Sequence, residues 1–160
     1  MTTSSVSPVT TELAGSETGI TLVIHAGAGS RGKHSTPERI AQVELDLQRA
    51  LDAGYQLLES GAPAHEAVVA AIHVMEDAPE FNAGRGAALT SDGIAQMDAC
   101  LMTGDGEVGA VTGVSTVKNP IDAARAVKEQ TKPVLFAVPS DSEIGYCGVA
   151  AECHGCFFTQ

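Results

Sequence analysis

Hydrophobic and polar positions divide this chain into two helical stripes followed by a series of short apolar runs. Ahead of the first stripe, Ile20 to Ile24 is an unbroken β-branched and leucine run, the pattern of a buried strand. It gives way at His25-Ala26-Gly27-Ala28-Gly29 to a polar loop reaching Ser35. A helix should begin there, because Ser35 with Glu38 reads as a capping box and Pro37 suits the first turn. Ile40, Val43, Leu47, Ala50, Leu51, Gly54, Leu57 and Leu58 then recur at three- and four-residue steps along one face. Gly61 stops this helix and Pro63 starts the next. Ala64, Ala67, Val68, Ala71, Ile72 and Met75 stripe the second helix, which Pro79 ends.

The period changes after Pro79. A glycine-rich turn, Phe81 to Gly86, leads into three runs: Ala87–Thr90, Ile94–Met102 and Val108–Val117. Ser91-Asp92-Gly93 and Gly104-Asp105-Gly106 separate them, and Gly and Asp supply the positive φ of tight turns, so three sequential antiparallel strands are predicted. Gln96 and Asp98 alternate with Met97 and Ala99, leaving one face more polar; Asp98 fits a surface carboxylate better than a site group. Val108 to Val114 is small and apolar on both faces, as a central strand would be. Asn119-Pro120 caps a third helix to Gln130 with Ile121, Ala124 and Val127 inward, and Pro133 to Val138 is a last strand. Helices and strands are segregated along the chain, which is an α+β pattern.

Composition narrows the functional classes. The chain of 160 residues is 44% hydrophobic and 18% charged, an ordinary globular balance. Twenty acids against nine bases give a net charge of −11, which repels phosphate backbones and argues against nucleic acid as a partner. No apolar run approaches the length of a membrane span, so no membrane partner is expected. Residues 1–19 are rich in Ser, Thr and Val without a basic start or an apolar core; they read as a disordered leader rather than a signal peptide, and a cytoplasmic location is expected. Residues 20–139 carry the pattern above, and residues 140–160 form a cysteine-rich tail. In that tail Cys147, Cys153, His154 and Cys156 make a zinc set conceivable, although free thiols are the default; Cys100 reads as a small core residue.

The remaining chemistry is sparse. Gly27, Gly29 and Gly32 spell a Gly-x-Gly-x-x-Gly string, but the helix follows too late for dinucleotide binding. His25 alone reads as a hydrogen-bonded structural histidine. Glu76 and Asp77 sit where the helix macrodipole disfavours carboxylates, so a solvated pair is the ordinary reading and a nearby cation the sharper one. Asn82 tolerates left-handed backbone and can bond its own turn, or can serve a site.

Taken together, Phe81-Asn82-Ala83-Gly84, Gly86-x-x-x-Thr90, Met97-Asp98-Ala99-x-x-Met102, Gly109-Ala-Val-x-Gly-Val-Ser115 and Asn119-Pro120 resemble the plant-type asparaginase and isoaspartyl peptidase family of N-terminal-nucleophile hydrolases. His25-Ala-Gly-Ala-Gly29 is similar to that family's HGGAG box, with Ala26 in place of a glycine. The motifs keep family order from about Thr21 to Pro139. The resemblance implies an αββα four-layer sandwich of which this chain supplies the α half. It implies hydrolysis of L-asparagine or β-aspartyl dipeptides, or the related glycosylasparaginase chemistry. It gives Asn82, Gly27 and His25 supporting places around the site, and requires no cofactor. Main-chain carbonyls of Met75, Glu76, Ala78, Phe81, Ala83 and Arg85 would wrap a structural sodium ion.

The family's nucleophile is a threonine in a Gly-Thr-(Val/Ile)-Gly context, freed by self-cleavage to head a β-subunit, with (αβ)2 assembly. That tetrapeptide does not occur in this sequence. The expectation is therefore a processed α-subunit or a truncated chain, the truncation slightly favoured by the tail, inactive without a Thr-initiated partner. The competing expectation is a non-catalytic fragment or metal-binding module.

Overall fold

The computed structural model describes residues 19–27 and 36–137. Two helices lead, α1 (Pro37–Glu59) and α2 (Ala64–Asp77), and a one-turn 3-10 segment follows at Gly84–Gly86. Strands β1 (Met97–Met102) and β2 (Val108–Val114), helix α3 (Pro120–Gln130) and strand β3 (Leu135–Ala137) complete the order. The sheet runs β1-β2-β3, with β1 antiparallel to β2 and β3 parallel to β2 through the α3 crossover.

The helix boundaries follow local chemistry, with one correction. Thr36, not Ser35, is the N-cap of α1, its hydroxyl accepting from Arg39 N at 3.3 Å; Ser35 lies outside the described residues. At the other end Gly61 takes φ +84, Ala62 N donates to Leu57 O and Gly61 N donates to Leu58 O, each at 3.0 Å. Those two bonds are the Schellman closure, which turns the chain into Pro63 and α2. The helices lie against each other where α1 has no side chain: a Cβ on Gly54 would stand 2.8 Å from Ala67 O and 2.6 Å from Leu22 Cδ2. On α2 the buried apolar residues are Ala67, Val69 and Ala71, whereas Val68 is 38% exposed. The predicted stripe is thus rotated at that turn, because α2 must reach both α1 and the sheet side, where Val69 joins the main cluster.

The main core lies between α3 and one face of the sheet. Leu101, Val111, Val114, Val117, Ile121, Ala124 and Val127 form it, with Val69 from α2. Leu101, Ile121 and Val111 are almost fully buried, and burial of side chains this size is worth about 1.5–3 kcal/mol each. Helix and strand meet at Gly109, where a Cβ would collide with Ala124 O and stand 2.5 Å from Lys128 N. Outside the core, Arg125 forks onto Glu66 at 2.6 and 2.9 Å and ties α3 to α2.

Three strand expectations need correction. Ile20–Ile24 belongs to no ladder among the described residues, and Val23 is 79% exposed; the run lacks a paired neighbour, and Leu22 packs on α1 instead. Ala87–Thr90 contributes only an isolated bridge, Leu89 to Ala95, because the preceding 3-10 turn and the tight Thr90–Ile94 closure consume its residues. Cys100 is exposed rather than in the core. It shares a face with Met102, Ala110 and Leu135, opposite the α3 side, as its pairing with Ala110 and that of Ala110 with Leu135 require. On that second face Met102 is 64% and Leu135 54% exposed.

Candidate functional site

The segment from the end of α2 to β1 gathers most of the residues singled out above. Pro79 cannot extend α2, and the chain turns at once through Phe81 to Gly84. Gly84 has φ +51 and rests on Glu76; a Cβ there would collide with the Glu76 carbonyl oxygen and lie 2.7 Å from Glu76 Cβ. A glycine is needed on both counts, for the left-handed backbone and for the close approach. Phe81 anchors the turn by packing with Val43 and Ala78 in a second, smaller core, and Ala26 packs against that cluster. Ala26 thereby places the His25–Gly27 segment beside the turn, although neither His25 nor Gly27 is among the residues that line the cavity described next. His25 Nδ1 accepts from Gly27 N at 3.2 Å, a local bond of the structural kind.

Asn82 does not close its own turn. Its Oδ1 accepts from Ala88 N at 2.8 Å, across the 3-10 segment, and the side chain is exposed. It lines a cavity of about 220 Å³ with Glu76, Gly84, Gln96, Asp98 and Pro120. Carboxylates and amides line this cavity, and none of its lining among the described residues is a Ser, Thr, Cys or Lys. The arrangement can accept and donate hydrogen bonds.

The paired acids at the end of α2 part company. Asp77 fits the solvated reading, pairing with Lys118 at 3.0 Å and about half exposed. Glu76 does not: it is only 3% exposed. Its Oε1 accepts from Ile121 N at 3.1 Å, so it satisfies a first-turn donor of α3 from another element. Asn119, the expected side-chain cap of α3, makes no such bond. Its Nδ2 and Glu76 Oε2 are both buried without a hydrogen-bond partner among the described residues. Desolvation pushes the Glu76 carboxyl from its ordinary 4.5 up to about 7, opposed by the nearby Asn119 amide and the Ile121 N–H. The Asn119 amide thus acts on the carboxyl through space without closing a bond.

Asp98 is the residue whose role the sequence pattern understated. Between Met97 and Ala99 the partner on β2 moves from Val114 to Val111, three residues against two, so Thr112-Gly113 is bulged. Asp98 Oδ1 accepts from Thr112 Oγ1 at 2.6 Å and from Gly113 N at 2.9 Å, fastening the bulge. These two donors hold the Asp98 carboxyl below its ordinary value. The bulge lets both Val111 and Val114 face the core, and Asp98 stands at the cavity wall. A glycine inside an apolar strand, Gly113 at φ +73, was the signal for it.

The residues of the cation loop remain in one stretch, Met75 to Arg85. Carbonyls of Met75, Ala78 and Ala83 each accept one backbone N–H, from Ala78, Phe81 and Gly86 respectively. Cys147, Cys153, His154 and Cys156 lie outside the described residues, as does the leader.

Comparison with known proteins gives a consistent set of relatives. The profile of the asparaginase family matches residues 18–146. A plant-type L-asparaginase of Pyrococcus abyssi is 46% identical over 118 residues, 73% of this chain and 37% of that protein. The isoaspartyl peptidase of Escherichia coli is 40% identical over 118 residues, covering 72% and 36%. An isoaspartyl peptidase/L-asparaginase of Danio rerio is 41% identical over 123 residues, covering 76% and 38%. This chain thus spans little more than a third of the length of the curated relatives it matches. No helix among the described residues is long and apolar enough to cross a membrane.

Proposed function

The chain belongs to the asparaginase family of hydrolases, and from that premise we propose that it is the α part of an amidohydrolase acting on L-asparagine, β-aspartyl dipeptides or both. The observation that carries the proposal is the gathering of the motif residues Asn82, Gly84, Asp98 and Pro120 around one cavity. A threonine heading a β segment would supply the nucleophile. Its hydroxyl attacks the amide carbonyl, and its free α-amine, with an ordinary pKa near 8, takes the hydroxyl proton. The amine product leaves as that proton is returned, and water then releases the aspartyl group. Residues of this chain orient rather than react: Asn82 faces the reacting end, and the loop at His25 and Gly27 closes one side.

The fold reading extends in the same way. Met102, Leu135, Ala110 and Cys100 give the sheet a second apolar face, with Met102 and Leu135 more than half exposed. Two-sided sheets of this composition are usually covered on both faces. A second sheet from the β segment laid on this face would build the αββα sandwich, and paired αβ units would give (αβ)2. Sodium held by the carbonyls of Met75, Glu76, Ala78, Phe81, Ala83 and Arg85 would stiffen the turn bearing Asn82. The ion's contribution is structural, through charge–dipole attraction to those oxygens.

The test is hydrolysis by this chain together with a Thr-initiated β segment. Aspartate release from L-asparagine or from a β-aspartyl dipeptide supports the proposal. Release from neither substrate refutes it.

A further inference from the structure

Glu76 occupies a place that its neighbours do not explain as mere filling. Its backbone carbonyl lies under Gly84, so tightly that no Cβ fits between them. Its side chain crosses to α3 and takes the Ile121 N–H at 3.1 Å. The Asn119 amide, next to it, makes no side-chain cap to its own helix and has no hydrogen-bond partner among the described residues, as is true of the second carboxyl oxygen. One residue thus touches the end of α2, the turn that carries Asn82, and the first turn of α3. Burying a carboxyl at a cost, when an apolar side chain would fill the space, is the mark of a group held for its directional bonds.

We propose that Glu76 is a positioning residue: through its bond to Ile121 and its contact with Gly84 it fixes the Asn82 turn to α3 and so sets where the Asn82 side chain stands. It acts through Asn82 rather than on the substrate itself. The importance of Asn82 to catalysis rests on the reading given under Proposed function, but the geometric part stands independently of it. Asn82 Oδ1 holds the Ala88 N–H at 2.8 Å, and that bond reports the position of the side chain without any substrate. If Glu76 only capped α3, its loss would free the Ile121 N–H and leave Ala88 unaffected.

Amide hydrogen exchange on the whole gene product separates these cases, comparing wild type with Glu76→Gln, Glu76→Asp and Glu76→Ala. The Gln side chain keeps an oxygen for Ile121 N–H and should leave both amides protected. The Asp side chain keeps the carboxyl but is one methylene short. With Asp or Ala, Ile121 and Ala88 should both exchange roughly tenfold faster, the loss of about one net hydrogen bond, while Ile94 in the neighbouring hairpin is unchanged. Hydrolysis by the Asp variant should lose kcat with KM nearly constant, and the Gln variant should recover it. Should the Ala variant fail to fold, the Asp variant carries the comparison. Faster exchange at Ile121 with Ala88 unchanged overturns the proposal, as does unchanged exchange at both. A wild-type protein with no hydrolase activity would refute the functional reading alone, since the exchange result is read without substrate.

Discussion

Gly109 offers the sharpest test of the core as described. It is the second residue of β2, paired with Leu101, and α3 presses directly onto its backbone. A Cβ at this position would collide with Ala124 O, stand 2.5 Å from Lys128 N and 2.7 Å from Lys128 Cβ. The first two are helix backbone atoms, so relief requires α3 to move off the sheet as a body. That movement would loosen Ile121, Ala124 and Val127 against Leu101 and Val111 together. Overpacking of this kind typically costs about 1–3 kcal/mol, and backbone collisions put Gly109→Ala at roughly 3 kcal/mol. For a domain near this size 1 kcal/mol moves Tm by about 4 °C, so a fall of roughly 12 °C is expected. Gly104→Ala is the matched control. A Cβ there meets nothing within 4 Å, and Tm should stay within about 2 °C of wild type. Thermal melts and urea midpoints on both variants decide the matter. A Gly109→Ala protein as stable as the control would refute the close packing of α3 on β2.

Other expectations concern the polar groups. Asp98→Ala removes the acceptor of Thr112 Oγ1 and Gly113 N and should cost about 1 kcal/mol in urea unfolding; because the carboxyl is held below its ordinary value, the advantage over Ala should fade as pH falls through the acid range. Glu76 acts in the opposite direction. Its carboxyl is raised to about 7, so the folded state holds a proton that the unfolded chain releases near 4.5, and stability should fall as pH rises between these values. The shift amounts to roughly 3 kcal/mol at most, and Glu76→Gln should flatten that part of the pH–stability curve relative to wild type; parallel curves would contradict the burial argument. If the turn from Met75 to Arg85 holds sodium, exchanging sodium for tetramethylammonium at constant ionic strength should lower Tm, and an unchanged Tm would remove the ion from the account.

Much of the helical architecture was legible because its signals are local. Gly61 and Pro63 ended one helix and began the next through backbone geometry alone, and Asn119-Pro120 marked the start of α3. The turn triplets located β1 and β2 because each contains a glycine that takes positive φ, Gly93 and Gly106. Failures arose where distant contacts decide. Ile20–Ile24 has the composition of a buried strand, but strand pairing depends on a neighbour that composition cannot name. Val68 and Val69 are chemically alike, and only the side on which the main core, with α3, meets α2 selects Val69. Cys100 looked like core filling, yet strict alternation with Leu101 turns it to the second face.

At the candidate site the balance was similar. Asn82 and its glycines stood out as a motif, whereas the burial of Glu76 depends on α3 arriving 45 residues later to offer the Ile121 N–H. The alternation around Asp98 predicts a surface carboxylate, and Asp98 is exposed. Its fastening of the β2 bulge required knowing which residues of the neighbouring strand it faces.

The function proposed above requires that this chain provide a framework and that the reacting hydroxyl and amine come from a Thr-initiated segment. Sequencing the amino terminus of every mature fragment of the whole gene product, alongside its release of aspartate from L-asparagine, tests this most directly. The account expects a second fragment beginning with threonine and hydrolysis that disappears when that threonine is replaced by alanine. Aspartate release by this 160-residue chain alone, with no Thr-initiated fragment present, would contradict it.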